Sequence, residues 1–559
     1  MNKLLSTTLA VAASVCLALP VQAQTQDDLK NDGANTDNVL TYGMGYAQHR
    51  YSKLDQVNTR SVKKLVPVWS TSLENDLGEQ AQPLVYNGVM YVSDAKWTVA
   101  INALSGKQLW RTATDFDPDT PRVVCCGVSN KGVALYEGKV FRGTLDAHLV
   151  ALDQKTGKEV WKKKIIDWKE GYSITSAPLI AGGVLITGIS GAEFGIRGFI
   201  DGYDPATGNH LWRRHTTAAP DEKGGNTWPV EGSYKNGGGS TWITGSYDPE
   251  LDLVYWGVGN SGPWNPNYRG GDSLYTASVI AVRPKTGEIA WHYQFTPNDM
   301  FDYDATSELI LGEIKVAGKA RKVVMQLNRN GFAYVLDRAD GTLLAANAYE
   351  KANWASGIDM KTGRPIETEV AKALRRGESA ELWPSVLGSK NWEHAAFNPK
   401  TGLLYVNTIH MASTYKLAPL EAFKPGSRWM GVQDLKFTNE PNVPRGHIRA
   451  IDPLTGKAKW EVALNDHANW SSMLATGGGL LFTGRHTGEF QALDASDGRV
   501  LWQFQTSSGI NANPITWSAQ GKQYVTVLSG FGGLGRRFVG EAGKNVPQGG
   551  SVWTFALSD

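Results

Sequence analysis

The sequence predicts an all-β fold, an eight-bladed β-propeller in a single domain. Three observations carry that reading. One short pattern recurs seven times along the 559 residues. Glycine is frequent, 62 residues against a usual share of roughly 7%, as a chain of short strands and many turns requires. Beyond the N-terminus no stretch stays apolar long enough to cross a bilayer.

Each copy is an apolar strand, an Asp, a turn closed by Thr-Gly or Asp-Gly, and a short strand ending in Trp, with small variations. The copies lie at 100–106 with Trp110, 152–157 with Trp161, 203–208 with Trp212, 282–287 with Trp291, 336–341 without a Trp, 451–456 with Trp460 and 493–498 with Trp502. Asp and Gly build a tight hairpin turn, Gly supplying positive φ. The Trp is expected to cover the turn of a neighbouring unit. Mostly-strand units repeated at this spacing form a propeller. Both ends supply the eighth unit: 65–69 and 552–556 are strand-like. Pairing them joins the first and last units and removes an exposed edge. The units exceed the roughly 40–45 residues of a simple blade. The surplus falls in inserts such as 213–240 and 351–390, where function usually sits.

Lys+Arg is 56 and Asp+Glu is 54, a formal net charge of +2, so nothing favours nucleic-acid binding through bulk charge. A hydrophobic share of 41% with 20% charged residues fits an ordered globular chain. Lys3, the apolar run 4–19 and Val21-Gln22-Ala23 read as a secretory signal over 1–23, cut after Ala23. The run is short for a membrane anchor. A single domain over 24–559 is then expected, exported to the periplasm.

Loss of Cys16 with the signal leaves the adjacent pair Cys125 and Cys126. Outside the cytosol such thiols tend to oxidise. They can close a ring with each other, stay as buried free thiols, or link two copies. No C-x-x-C-H occurs, so no covalently attached c-type haem is expected.

The copies that combine Asp, Thr-Gly and Trp resemble the tryptophan-docking repeats of quinoprotein alcohol dehydrogenases, which bind pyrroloquinoline quinone (PQQ). The resemblance covers essentially the whole mature chain. The repeat alone also suits a non-catalytic scaffold propeller, so the distinguishing residues lie elsewhere. The segment 124–132 is similar to the family's vicinal-disulfide segment. That implies a Cys125–Cys126 bond packed on one face of PQQ. The segment 237–242 implies Trp242 on the other face, a stacking arrangement that fixes a flat cofactor without covalent bonds.

Glu193 in a Gly-rich turn, Asn260, Asp302 and Asp304 offer oxygen donors only, which suits a hard cation. Their order and spacing resemble the family's ligand segments. The resemblance implies that Asp302 is the base taking the alcohol proton while hydride passes to PQQ. Arg329 would stabilise negative charge on the PQQ carbonyl oxygens. Calcium-dependent members carry a small or neutral residue where this chain has Asp304, and lanthanide-dependent members carry Asp. A further anionic oxygen favours a trivalent ion, so a lanthanide is the preferred ion and Ca²⁺ the alternative. Further PQQ contacts are implied for Glu79, Thr175, Ser190, Gly191, Ala192, Ser240 and Asn391. Lys131 joins them where relatives generally carry Arg, and it cannot pair in bidentate fashion. The implied partners are a small primary alcohol, a soluble cytochrome c and a second copy of the chain. A G-x-G-x-x-G string at 530–535 has no helix pattern after it and no βαβ unit around it. It reads as a loop near the propeller axis rather than a nucleotide site.

Overall fold

The computed structural model describes residues 23–533, 536 and 538–558. The expected signal, apart from Ala23, lies outside the described residues. The chain is all-β and adopts the β-propeller fold. Eight sheets of four or five strands succeed one another. They span 84–113, 134–164, 179–215, 246–294, 310–348, 396–464, 474–505 and 515–557. The last also takes in Leu65–Ser72, which pairs antiparallel with Ser551–Leu557, so the two ends meet in one sheet as the sequence suggests. Tyr51–Ser52 adds a parallel edge to the sheet of 474–505.

In seven of these sheets the four main strands lie in chain order, in the sheet 396–464 with a further hairpin inserted between its second and third strands, and the Asp–Gly copies form the turn into the outermost strand. In the copy at 152–157 the Asp153 carboxylate accepts from the amides of Lys155 and Thr156 and from the Thr156 hydroxyl. The amide of Gly157 closes back on Asp153 O. Gly157 holds φ +70°, a conformation glycine adopts without steric cost. The outer strands face water on one side. Glu159–Lys164 buries only Trp161 among partly and fully exposed neighbours.

Buried and half-buried tryptophans reach from one sheet to the next. Trp69 donates to Ala103 O, Trp110 to Gln154 O, Trp161 to Pro205 O and Trp212 to Pro284 O. Trp291 lies on Gly341, Trp460 donates to Ala495 O, and Trp502 donates to Leu65 O in the sheet that holds both ends. Gly456 packs on the backbone of Ala348, which supplies the contact that the copy without a Trp cannot make. Each indole lays a large apolar face on the neighbouring sheet, and all but Trp291, whose Nε1 is buried without a partner, also satisfy their one donor there. Between sheets the core mixes aliphatic and aromatic side chains: Val99, Ile101, Leu135 and Val140 share one cluster, and Phe141, Ile186 and Ile200 another.

The inserts build outside this frame. The insert at 351–390 contributes the hairpin Ala355–Ile358 with Pro365–Glu367, the helix Glu369–Arg375 and the strand Ala380–Leu382. That strand extends a second hairpin, Ala412–Leu417 with Val432–Thr438. The sequence pattern did not single out this second hairpin. Among the described residues no helix is long and apolar enough to cross a membrane.

Candidate active site

The inner loops and the second hairpin enclose a cavity of about 390 Å³. Of the residues expected at the site, Cys125, Cys126, Lys131, Thr175, Ser190, Gly191, Glu193, Ser240, Trp242, Asp302, Asp304, Arg329 and Asn391 line it. Glu79, Ala192 and Asn260 are buried but lie behind the wall. Gln80 takes the place of Glu79 on the cavity surface.

The acidic pair arises from alternation in an extended segment. Phe301 and Tyr303 point into the core, where their rings pack on each other and on Trp354. Asp302 and Asp304, out of phase with them, face the cavity. Asp299 holds the bend, accepting from the amides of Phe301 and Tyr303 at 3.1 and 3.3 Å. Asp302 sits at φ +61°, a left-handed conformation that Asp tolerates and that clusters at functional sites.

Glu193 stands on the tight turn after Ser190. Gly191, at φ +128°, lies against Gly171 O so closely that a Cβ would collide. The neighbouring Phe194 and Ile196 anchor the turn in a small aromatic-aliphatic cluster. Ser173 and Ser190 exchange backbone hydrogen bonds, which brings the Thr175 and Ser190 hydroxyls to 3.1 Å.

Arg329 joins the two aspartates. Its Nη1 donates to Asp304 Oδ2 at 2.5 Å, and its Nη2 donates to Asp302 Oδ2 at 2.9 Å and to Val386 O at 2.7 Å. Asp304 is held on both oxygens. Oδ1 accepts from the Asn260 amide at 2.7 Å, and Oδ2 also accepts from Trp242 Nε1 at 3.1 Å. Asp304 thus faces the cavity and ties the Asn260 loop, the Trp242 ring and Arg329 together. One guanidinium does not balance three carboxylates. Burial, the largest effect, raises Asp302 well above the ordinary carboxylate range against the pull of Arg329, and the charges of Asp304 and Glu193 add to it. Burial and then the charge of Asp304 raise Glu193 as well. Such a site gains from an added cation.

The fit to the implied groups can be read from atoms with no other work. Among the described residues Asp302 Oδ1 and Asn260 Oδ1 are buried without a hydrogen-bond partner, and buried polar atoms are otherwise almost always paired. Both are hard oxygen donors beside the acidic cluster. No three His, Cys, Asp or Glu side chains of the described residues already stand in ligating geometry; Arg329 bridges Asp302 and Asp304 instead. On the opposite side Lys131 is buried with its Nζ 5.2 Å from the Trp242 ring centroid and 5.8 Å from that of Trp392. No carboxylate of the described residues forms an ion pair with it, and burial lowers it to about 7. An unpaired buried ammonium on a cavity wall calls for an anionic ligand. Cys125 and Cys126 are joined by a disulfide that lines the same cavity as Trp242. The residues present fit a hard cation and a flat, carboxylate-bearing cofactor.

The rest of the wall was not visible to motif reasoning. Arg428, Met430, Leu435 and Phe437 come from the second hairpin, and Trp470 and Phe538 from loops far along the chain. The Phe437 and Phe538 rings meet edge to face, 5.2 Å apart. The glycine string at 530–535 packs backbone on backbone: Gly532 lies against Leu77 and Gly78, and the Glu79 amide donates to Gly530 O. Its last two residues lie outside the described ones.

The chain is similar to known proteins over almost its whole length. Residues 40–352 match the model of the PQQ glucose/ethanol/alcohol dehydrogenase β-propeller domain. Residues 444–526 match that of the outer membrane protein assembly factor BamB. The quinoprotein alcohol dehydrogenase PedH of Pseudomonas putida is 41% identical, covering 99% of this chain and 97% of its own length. A quinoprotein ethanol dehydrogenase of Pseudomonas aeruginosa is 40% identical over 98% of this chain and 95% of its own. A europium-containing methanol dehydrogenase superposes with a TM-score of 0.90 at 35% identity, over 95% of this chain and all of that one. Likeness at this level over almost every residue, and not in the repeat alone, means that the chain belongs to the PQQ-dependent quinoprotein alcohol dehydrogenases.

Proposed function

We propose that this protein oxidises primary alcohols to aldehydes with PQQ and a metal ion, and passes the electrons to a soluble cytochrome c in the periplasm. The single observation that carries the reading is the meeting of Asp302, Asp304, Glu193 and Arg329 with the Cys125–Cys126 disulfide, Trp242 and Lys131 around one cavity. Bound PQQ with its ion supplies a hydride acceptor and a Lewis acid. The chain supplies the remainder. Asp302 is the base: its Oδ1 is free, and Arg329 fixes its orientation through Oδ2. Glu193, Asn260, Asp302 and Asp304 hold the ion. Lys131, Thr175, Ser190 and Ser240, with the backbone of Gly191 and Ala192, receive the cofactor's polar edge, together with Asn391. The disulfide and Trp242 cover its faces. Glu79 supports that edge from behind Gln80. Trp264, Leu435, Phe437 and Phe538 close the approach to water and receive the alcohol's carbon chain.

A lanthanide is the preferred ion and Ca²⁺ the alternative. Asp304 supports the lanthanide because a third carboxylate beside Asp302 and Glu193 is most offset by a trivalent charge. The europium in the name of a similar structure points the same way. We further propose that residues 24–559 form one domain whose eight sheets are blades of a closed ring, docked by the tryptophans, and that two copies associate. The test is dye-linked oxidation of ethanol and methanol by metal-free protein given PQQ and either La³⁺ or Ca²⁺. Activity is expected with La³⁺, lost in Asp304→Ala, and reduced by about 10²-fold or more in Asp302→Asn. Activity with Ca²⁺ alone refutes the lanthanide reading. Absence of activity and of retained PQQ with both ions refutes the function.

A further inference from the structure

The segment 418–431 joins the two strands of the second hairpin and crosses the outside of the site. Its neck is closed: the Ala418 amide donates to Gly431 O at 2.9 Å, and Asn265 bonds to Ala418 O and Met430 O. The Leu420 amide donates to the Tyr268 hydroxyl at 2.8 Å. Beyond the neck the segment is held at few points. The Trp429 amide donates to Glu193 O at 2.7 Å. Arg428 Nη2 donates to Cys125 O at 2.9 Å. Phe423 and Trp429 meet at 5.4 Å and lie on Gly195, where a Cβ would stand 2.7 Å from Phe423. Gly426 rests on Lys169 O. Most residues between 419 and 428 are exposed, and the segment curls around a hollow of about 410 Å³ that is lined by residues of 419–432 alone. Arg428 and Met430 line both that cavity and the site itself.

The two polar contacts at the tip fall on one feature from each half of the proposed site: the Glu193 turn, which would hold the ion, and the disulfide, which would cover one face of PQQ. A segment with a firm base, an exposed middle and a tip held by a few bonds is the kind that opens locally at low cost. We infer that 418–431 is a strap that unlatches to admit PQQ and its ion and, once latched, retains them, with Arg428 as the latch. Arg428 acts as a positioning residue: its guanidinium steadies the Cys125 carbonyl and, beside it, the strand of backbone bonded to Glu193.

This inference rests on the proposed function, and its test separates the two. Wild type, Arg428→Ala and Arg428→Lys are loaded with PQQ and La³⁺, then mixed with EDTA, and released PQQ is followed by its absorbance after rapid filtration. Arg428→Ala is expected to release PQQ about tenfold faster and Arg428→Lys to fall between. Phe423→Ala, which loosens the ring contact on Gly195, is expected to act in the same direction. In parallel, hydrogen exchange of the Trp429 amide is measured on cofactor-free protein. It is expected to be about tenfold faster in Arg428→Ala than in wild type. If wild type takes up no PQQ, the functional reading falls and the exchange experiment alone decides the strap. Release and exchange within twofold of wild type in Arg428→Ala overturn the strap.

Discussion

Replacing Lys390 with Met should cost this protein about 3–5 kcal/mol, because it strands a buried carboxylate. Lys390 and Glu308 are 0% and 1% exposed, with Nζ 3.1 Å from Oε2. At that distance and an effective dielectric of ~20, the attraction is about 5 kcal/mol. Water and salt do not reach the pair to screen it. Burial by itself pushes the Glu308 carboxyl up, but the Lys390 ammonium, the His394 hydrogen bond and the charge of Arg50 outweigh it and hold the group below the usual carboxylate range. His394 cannot substitute for the lost cation. Burial lowers it to about 3, and its Nε2 is engaged with the Tyr42 hydroxyl at 2.6 Å. The sign with pH follows. A depressed folded pKa contributes stability above the unfolded value of about 4.3 and loses it as pH falls. The penalty of Lys390→Met should therefore be full at pH 7 and shrink below pH ~4. The assay is chemical denaturation of cofactor-free protein, with Glu308→Gln and the double variant completing a cycle. The double variant should recover about 1–3 kcal/mol, and the coupling should hold between low and high salt. A single-variant cost under about 1 kcal/mol, or an additive double, refutes the reasoning.

Lys131, lowered to about 7 by burial, should take up close to one proton when PQQ binds at pH ~8.5, since an incoming carboxylate restores its charge; calorimetry in buffers of different ionisation enthalpy reads it, and Lys131→Met should abolish it. Because its folded pKa lies below the unfolded value of about 10.4, cofactor-free protein should gain stability as pH rises from 7 to 10, a slope the same variant removes. Gly287→Ala should destabilise by about 2 kcal/mol or more, since its φ of +67° is left-handed and the new Cβ would collide with the Trp212 ring. Gly318→Ala, at φ +80° with open space around it, should cost about 1 kcal/mol in the same denaturation series.

The repeat was legible because hairpin turns are local. The Asp153 carboxylate caps amides two and three residues ahead, and Gly157 closes the same turn. Such contacts can be inferred from spacing alone. The same holds for the alternation that turns Asp302 and Asp304 to one side and Phe301 and Tyr303 to the other. Candidate residues came from resemblance to a family, and thirteen of them line one cavity. Spacing could not show how they divide the work. Asp304 is bound on both oxygens and Asp302 on one only, because Arg329, Asn260 and Trp242 converge from three separate segments.

What the sequence determined by itself was the kind of unit, its turns, and the chemical types gathered for the site. The tertiary structure decided which atoms remain free and what covers them. Asn260 and Glu79 went behind the wall, while Arg428, Leu435, Phe437 and Phe538 came to stand on it. None of these last four lies in a copy of the repeat. Their places depend on where the second hairpin, its connecting segment and a C-terminal loop come to rest, and that is settled by packing between segments far apart in the chain. Gly195 under Phe423 and Trp429, and Glu193 O under the Trp429 amide, are contacts across more than two hundred residues. A periodic pattern carries no information about a contact that occurs once.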